Sequence, residues 1–196
     1  MPSPPKPLTA ERIVQATEEV LRRRGFAKAT VVDVARALGV SHASVYRHFA
    51  SKAALHEAVT KRWLNHTLSS LAAIAAEDRA PELRLHDWLA ALFAANRRKW
   101  HEDPELFAAY KALAAELEGP VASHVDDLTA QLAQIIHSGA DIGTFAIVSD
   151  PTTIARTVFQ ATGRFHDSYH SRDWEQSDIQ AQFETVVDLV LRGLRG

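Results

Sequence analysis

Residues Thr30–Lys52 read TVVDVARALGVSHASVYRHFASK, and their spacing predicts two short helices joined by a tight turn, with a third helix starting directly behind. Thr30 is placed to cap the first helix, its hydroxyl accepting from an early backbone N–H. Asp33 sits one turn in, at the positive end of the helix dipole. Val31, Val34, Ala35 and Leu38 recur at helical spacing and form one apolar face. Gly39 supplies the left-handed residue at which a helix stops. Ser41 caps the second helix, predicted over His42–Phe49, which turns Val45, Phe49 and part of Tyr46 inward. His42, Ser44, Arg47 and His48 form its polar surface. Ser51 caps again, with Lys52 at the new helix start. The layout is that of a helix-turn-helix, whose second helix enters the major groove of DNA.

The same periodicity extends outward in both directions. Upstream, a helix is expected from Thr9 as N-cap to Arg24, burying Ile13, Ala16, Thr17, Val20 and Leu21 and stopped by Gly25. Downstream, a long helix after Ser51 carries Leu55, Val59, Trp63, Leu68, Leu71 and Ile74. Ala80-Pro81 opens a helix with Leu85, Trp88, Leu89, Leu92, Phe93 and Trp100. Asp103-Pro104 opens another, which Gly119-Pro120 breaks. The next runs from Val121 to Ile136 and is closed by Gly139. Residues 139–149 read as an irregular loop, although Thr144–Val148 has β-type composition. Asp150-Pro151 starts a helix continuing to Tyr169, and Ser177-x-x-Gln180 resembles a capping box for the last. The expectation is an all-α chain of about nine helices.

Composition narrows the function. With 196 residues and 46% hydrophobic content the chain can bury a real core. It has no cysteine, which excludes disulfides, thiolate metal sites and thiol nucleophiles. Residues 1–8, rich in proline, are expected to be a disordered arm that lacks the apolar stretch of a signal peptide. No apolar run reaches membrane-spanning length, so a cytoplasmic protein without membrane contact is expected. The net charge of −2 hides a division: residues 1–52 carry +5 and the remainder −7. A basic head on an acidic body suits a protein that presents one end to a polyanion. Arg22-Arg23-Arg24 reads either as phosphate-contacting or as a solvated helix end offsetting the dipole.

The segments Gly39-Val40-Ser41, Ser44–Phe49 and Ser51–Leu55, with Arg12–Ala16 and Gly25-Phe26 upstream, resemble the signature of TetR/AcrR-type transcriptional regulators. Three positions depart from it: Val32 where a polar residue is common, Ala53-Ala54 before Leu55, and His42 at the start of the second helix. The resemblance covers the first quarter to third of the chain. It implies a DNA-binding domain over residues 9–52 and a helical effector-binding and dimerisation domain over 53–196. It also implies that Tyr46, His48, Thr30 and Lys52 contact phosphate. From position alone, His42 and Ser44 reach base edges, and Arg47 either pairs with guanine or clamps a phosphate.

The expected function is sequence-specific regulation of transcription by a ligand-responsive repressor, bound as a homodimer to a palindromic operator on double-stranded DNA. The last two helices are expected to form the dimer contact, since paired reading heads sit about 34–36 Å apart on the duplex. An activator of the same fold or a metal-responsive regulator is the alternative. Family resemblance implies an effector pocket, for which the candidate walls are Trp63, Trp88, Phe93, Trp100, Tyr110, Phe145, Phe159, Phe165 and His166, suited to an apolar or aromatic small molecule. His166 and His170, spaced i, i+4, with His124 completing the set, form a candidate metal site. No cofactor is implied. With no nucleophile elbow, phosphate loop or HExxH motif, an enzyme is not expected.

Overall fold

A computed structural model describes residues 7–146 and 150–195. Among them are ten α-helices and no strand: α1 (Ala10–Arg24), α2 (Val31–Leu38), α3 (His42–Tyr46), α4 (Lys52–Asn65), α5 (Leu68–Ala75), α6 (Pro81–Glu102), α7 (Pro104–Glu116), α8 (Glu118–Asp141), α9 (Pro151–Ala161) and α10 (Ile179–Arg195). Short 3-10 segments lie at Phe26–Lys28, Gly163–Phe165 and Ser168–Glu175. No helix among the described residues is long and apolar enough to cross a membrane.

The chain groups into two compact units. The first holds the described residues up to Leu64 together with Asp103–Val121; the second holds Asn65–Glu102 and the described residues from Ala122 onward. In the first, Ile13, Leu21, Val34, Val45, Leu55 and Val59 bury against Tyr110 and Leu113 of α7. Full burial of such side chains is worth roughly 1.5–3 kcal/mol each. The Trp63 ring stacks on Tyr110 at 4.4 Å and meets Phe107 edge-on at 5.9 Å. The Tyr110 hydroxyl donates to Glu18 Oε1 at 2.8 Å, and Arg62 lies 3.3 Å from the same carboxylate. Burial holds the Glu18 carboxyl above its usual range, against the lowering effect of Tyr110.

In the second unit Trp88, Trp174, Phe183, Leu85, Leu132 and Leu71 are fully buried. Arg84 is buried with them, its Nη1 donating to the Ala75 carbonyl at 2.9 Å and its Nη2 to the Ser138 hydroxyl. It thereby satisfies a carbonyl that the end of α5 would otherwise leave orphaned.

Several boundaries differ from the sequence-based expectation, each for a local reason. The long helix after Ser51 is two helices, parted at His66-Thr67, where Asn65, His66 and Thr67 are all poor helix formers. Gly119-Pro120 lies inside the first turn of α8, where proline's missing N–H costs nothing, and the break falls at Leu117. α8 runs two residues past Gly139, to Asp141; the glycine is buried in its last turn, with the Phe145 ring lying where a Cβ would project. α9 stops at Ala161, before Gly163, and the chain up to Glu175 is 3-10 and turn instead of α-helix. There Trp174, which lies outside the apolar stripes read from the sequence, is fully buried and donates its indole N–H to the Arg164 carbonyl at 2.8 Å. Ser177 stands before Asp178 and so outside the cap of α10, while Gln180 donates to Glu184 at 2.9 Å. Of the loop, Phe145 is buried and the Ala146 N–H donates to the Leu194 carbonyl at 2.7 Å; residues 147–149 lie outside the described residues, as do 1–6 of the arm. Pro7 and Leu8, expected in that arm, are engaged: the Pro7 carbonyl accepts from Arg12 at 2.7 Å, and Leu8 packs on the core.

A Gly139→Ala substitution is expected to destabilise by about 1–3 kcal/mol, because its methyl must displace a buried ring. A urea-denaturation midpoint equal to that of the wild type would show that the loop yields freely.

Candidate nucleic-acid interface

The recognition element is built on a capping box. Asp33 N–H donates to Thr30 Oγ1 at 3.2 Å, and Thr30 N–H and Oγ1–H donate back to Asp33 Oδ2 at 3.3 and 2.7 Å. The other carboxylate oxygen of Asp33 lies 3.1 Å from Arg24 and 3.2 Å from Arg36. The Thr30 hydrogen bond, with both guanidinium groups alongside, holds this carboxyl below the usual range. Thr30 is therefore engaged within the protein through both its hydroxyl and its N–H. Asp33 was legible as a residue favouring the dipole; its part in joining α1 to α2 was not.

Gly39 takes φ 68°, ψ 31°, the left-handed cap the turn requires. The helix after it, α3, is shorter than predicted, ending at Tyr46, with Arg47 as its C-cap. Val45 is 1% exposed and pins α3 to the core. His42, Tyr46, Arg47, His48 and Lys52 are exposed, and Ser44 is partly so. The His42 and Tyr46 rings meet edge-on at 6.4 Å. Ser44 N–H donates to Ser41 Oγ at 3.2 Å, its hydroxyl lies 2.9 Å from Ser41 Oγ, and Arg47 Nη2 donates to Ser44 Oγ at 3.0 Å. The structure thus collects His42, Ser44, Tyr46, Arg47 and His48 on one short exposed element. Val32 is 53% exposed on α2, an apolar side chain at the surface of the same module.

The arginine run has internal partners. Arg22 bonds Glu19 and Asp103, both at 2.6 Å, Arg23 bonds Glu19 at 2.6 Å, and Arg24 turns to Asp33. Where phosphate contact or a solvated helix end was expected, all three side chains make ion pairs, which join α1 to α2 and to the start of α7.

The expected effector residues fall into separate groups. Trp63 and Tyr110 belong to the first unit. In the second, Phe93 packs on Phe165 at 5.4 Å and on Phe183 at 5.2 Å. Phe145 covers Gly139. Trp88 donates to Gln131 at 2.9 Å, and Trp100 to Glu175 at 3.2 Å. Phe159 stacks on His166 at 4.1 Å.

The histidine set does not assemble as expected. Because α9 ends at Ala161, His166 and His170 are not one turn apart on a helix. His166 Nε2 lies 2.9 Å from the Phe159 carbonyl, while His170 Nδ1 lies 3.6 Å from Asp173. Among the described residues no group of three or more His, Cys, Asp or Glu is arranged to hold a metal ion. His124 instead feels the charge of Lys99, and its buried Nδ1 has no hydrogen-bond partner among the described residues. Burial, then the Lys99 charge, pushes its pKa down to about 4.

The family description "Bacterial regulatory proteins, tetR family" matches residues 13–59, and "Tetracyclin repressor-like, C-terminal domain" matches residues 81–187. The chain belongs to the TetR family. Within that family it is 36% identical over 61 residues to the uncharacterized HTH-type transcriptional regulator YvdT of Bacillus subtilis, an alignment spanning 31% of each chain. This TetR-family chain also shares its fold with the fatty acid degradation regulator FadR from Bacillus halodurans, at TM-score 0.73 and 19% identity over 97% of this chain and 98% of that one. FadR from Bacillus subtilis, solved in complex with stearoyl-CoA, aligns at TM-score 0.71 and 16% identity, over 94% of this chain and 99% of that one.

Burial holds His56, His124 and His166 of this TetR-family protein below the usual histidine pKa. A base depressed in the folded state confers stability above its unfolded pKa of 6.5 that is lost as pH falls toward the folded value, about 4 for His124. The urea midpoint is therefore expected to fall across that window, and His124→Gln to make the fall shallower. An unchanged slope in the variant would show that His124 titrates normally.

Proposed function

We propose that the chain is a ligand-responsive repressor that binds a palindromic DNA operator as a homodimer. The observation that carries this reading is the division within α3: Val45 is 1% exposed while His42, Tyr46, Arg47 and His48 face outward. In the bound state Arg47 leaves the Ser44 hydroxyl for a guanine edge or a phosphate, and His42 and Ser44 approach base edges. Tyr46, His48, Lys52 and the Thr30 end of α2 hold the backbone. Ion pairing within the head leaves phosphate attraction to the exposed Arg47 and Lys52 rather than to the arginine run.

Dimerisation is assigned to the last two helices, α9 and α10. Phe183, Val187 and Leu194 face the core, whereas Leu189 is 61% exposed, with Val186 and Val190 partly exposed nearby. A two-fold axis would place two such helices together and cover that row. Effector binding is assigned to the body, where the family match covers residues 81–187. The stearoyl-CoA bound by FadR of Bacillus subtilis supports a small molecule with an apolar part as the class sensed. A ligand releases DNA only by binding the two head spacings unequally. Such a regulator works in the cytoplasm, beside the DNA.

A mobility shift on DNA flanking the protein's own gene tests this reading. Arg47→Ala is expected to cost about 1–3 kcal/mol of operator affinity and to narrow the gap between operator and competitor. Lys52→Ala is expected to weaken binding to all sequences alike and to lower the salt slope by about one. Leu189→Glu is expected to yield monomers in sedimentation. Binding unchanged in both α3-region variants would overturn the assignment of the head.

A further inference from the structure

Within Thr30–Lys52 the apolar side chains exposed to solvent are Val32, Ala37, Ala43, Tyr46 and Ala50. Val32 and Ala37 lie on α2, the helix that in this motif crosses the DNA backbone, and Ala50 follows α3. Tyr46 ends α3, its ring edge-on to that of His42. Ala43 stands second in α3, between the two residues assigned above to base edges. Those two differ in their freedom. His42 is exposed, whereas Ser44 is half-buried, its hydroxyl 2.9 Å from Ser41 Oγ and accepting from Arg47 at 3.0 Å. The Ala43 carbonyl is engaged in the helix, accepting the Arg47 N–H at 3.2 Å, and its exposed side chain offers a partner only a methyl group.

We propose that the Ala43 methyl reads the C5-methyl of a thymine in each operator half-site, an assignment that rests on taking α3 as the DNA-reading helix. The first residues of a recognition helix are those that reach base edges in the major groove. A helix with its side chains is about 10–12 Å across and the groove about 12 Å wide, so a side chain aimed at the groove floor fits only if it is short. Alanine there neither donates nor accepts, and so reads nothing of a base's hydrogen-bonding pattern. The C5-methyl of thymine is the apolar group that the groove displays. Contact between the two methyls takes apolar surface out of water, which at the scale of one buried methylene is worth about fourfold in affinity. Ala43 and Arg47 lie four residues apart on one face, and Arg47, the C-cap, keeps right-handed helical geometry at φ −69°, ψ −23°. Four residues rise about 6 Å, close to two base-pair steps of about 3.4 Å. Where Arg47 takes a guanine edge, that guanine therefore stands about two steps from the thymine.

The probe is a duplex selected from a randomised pool by the whole chain, then resynthesised with each thymine in turn replaced by deoxyuridine, which deletes the methyl and nothing else. In wild type, one position of each half-site is expected to bind about fourfold more weakly as uracil in mobility shifts. At that position 5-methylcytosine should bind better than cytosine, because the methyl is restored without the O4 of thymine. Ala43→Gly should bind thymine and uracil equally there, whatever affinity it loses overall from a looser helix. If Ala43→Gly binds no duplex, Ala43→Ser, which holds the helix better and presents a hydroxyl, is expected to show the same loss of methyl preference. A consensus in which no thymine responds to uracil overturns the assignment, and so does a uracil penalty that persists in the Ala43 variants. A penalty abolished by Val32→Ala gives the methyl to α2 and overturns it equally. A pool that yields no consensus overturns the reading of α3 as sequence-specific, and this assignment with it. A consensus with a silent methyl leaves that reading standing and removes Ala43 alone.

Discussion

A recognition helix of five residues cannot hold itself in water, because nucleating a helical turn costs more than so few hydrogen bonds return. The reading head therefore depends on burial of Val45, which fixes α3 against the core of α1, α2, α4 and α7. The Thr30–Asp33 box and the left-handed Gly39 fix the approach angle of the turn. With the inward side chain locked, the outward ones have a defined direction before any DNA arrives, which lowers the ordering cost of binding.

The same dependence governs the head's charge. A net of +5 over residues 1–52 suggests broad attraction to a polyanion. Much of it is already matched: Arg22 and Arg23 on Glu19, Arg22 again on Asp103, Arg24 and Arg36 on Asp33. Exposed pairs of this kind contribute modestly, about 0–1 kcal/mol each. Their larger effect is geometric. They tie α1 to α2 and to the start of α7, so that a helix distant in sequence becomes part of the unit that carries α3. The Trp63 stack on Tyr110 and the Tyr110–Glu18 hydrogen bond act in the same way.

In the second unit, buried cations serve local ends. Arg84 spends its guanidinium on the Ala75 carbonyl and Ser138, and Arg97 lies 5.3 Å from the centre of the Phe93 ring. Lys99 differs: burial, then the Arg98 charge, disfavours its charged form and brings its pKa down to about 8. The aromatic residues, by contrast, are largely consumed by one another or by nearby hydrogen-bond acceptors.

The reading head was legible because its helix signals are local: caps at Thr9, Thr30 and Ser41, stops at Gly25 and Gly39, and a helical stripe between them. Helix type and order followed from the sequence by itself, since apolar periodicity and capping act over a few residues. What it left open depended on neighbours far along the chain. Periodicity carried one helix through His66-Thr67 and another through Gly163, because an apolar stripe cannot register where a backbone bends to meet a partner. Gly139 read as a stop, yet it admits the Phe145 ring. The spacing of His166 and His170 suited a metal only if their backbone was α-helical. The meeting of Lys99 and Thr67, 3.4 Å apart, has no sequence signal at all, since each reads as an ordinary polar residue. Only tertiary packing decided that grouping, because burial and through-space charge depend on which helix faces lie together.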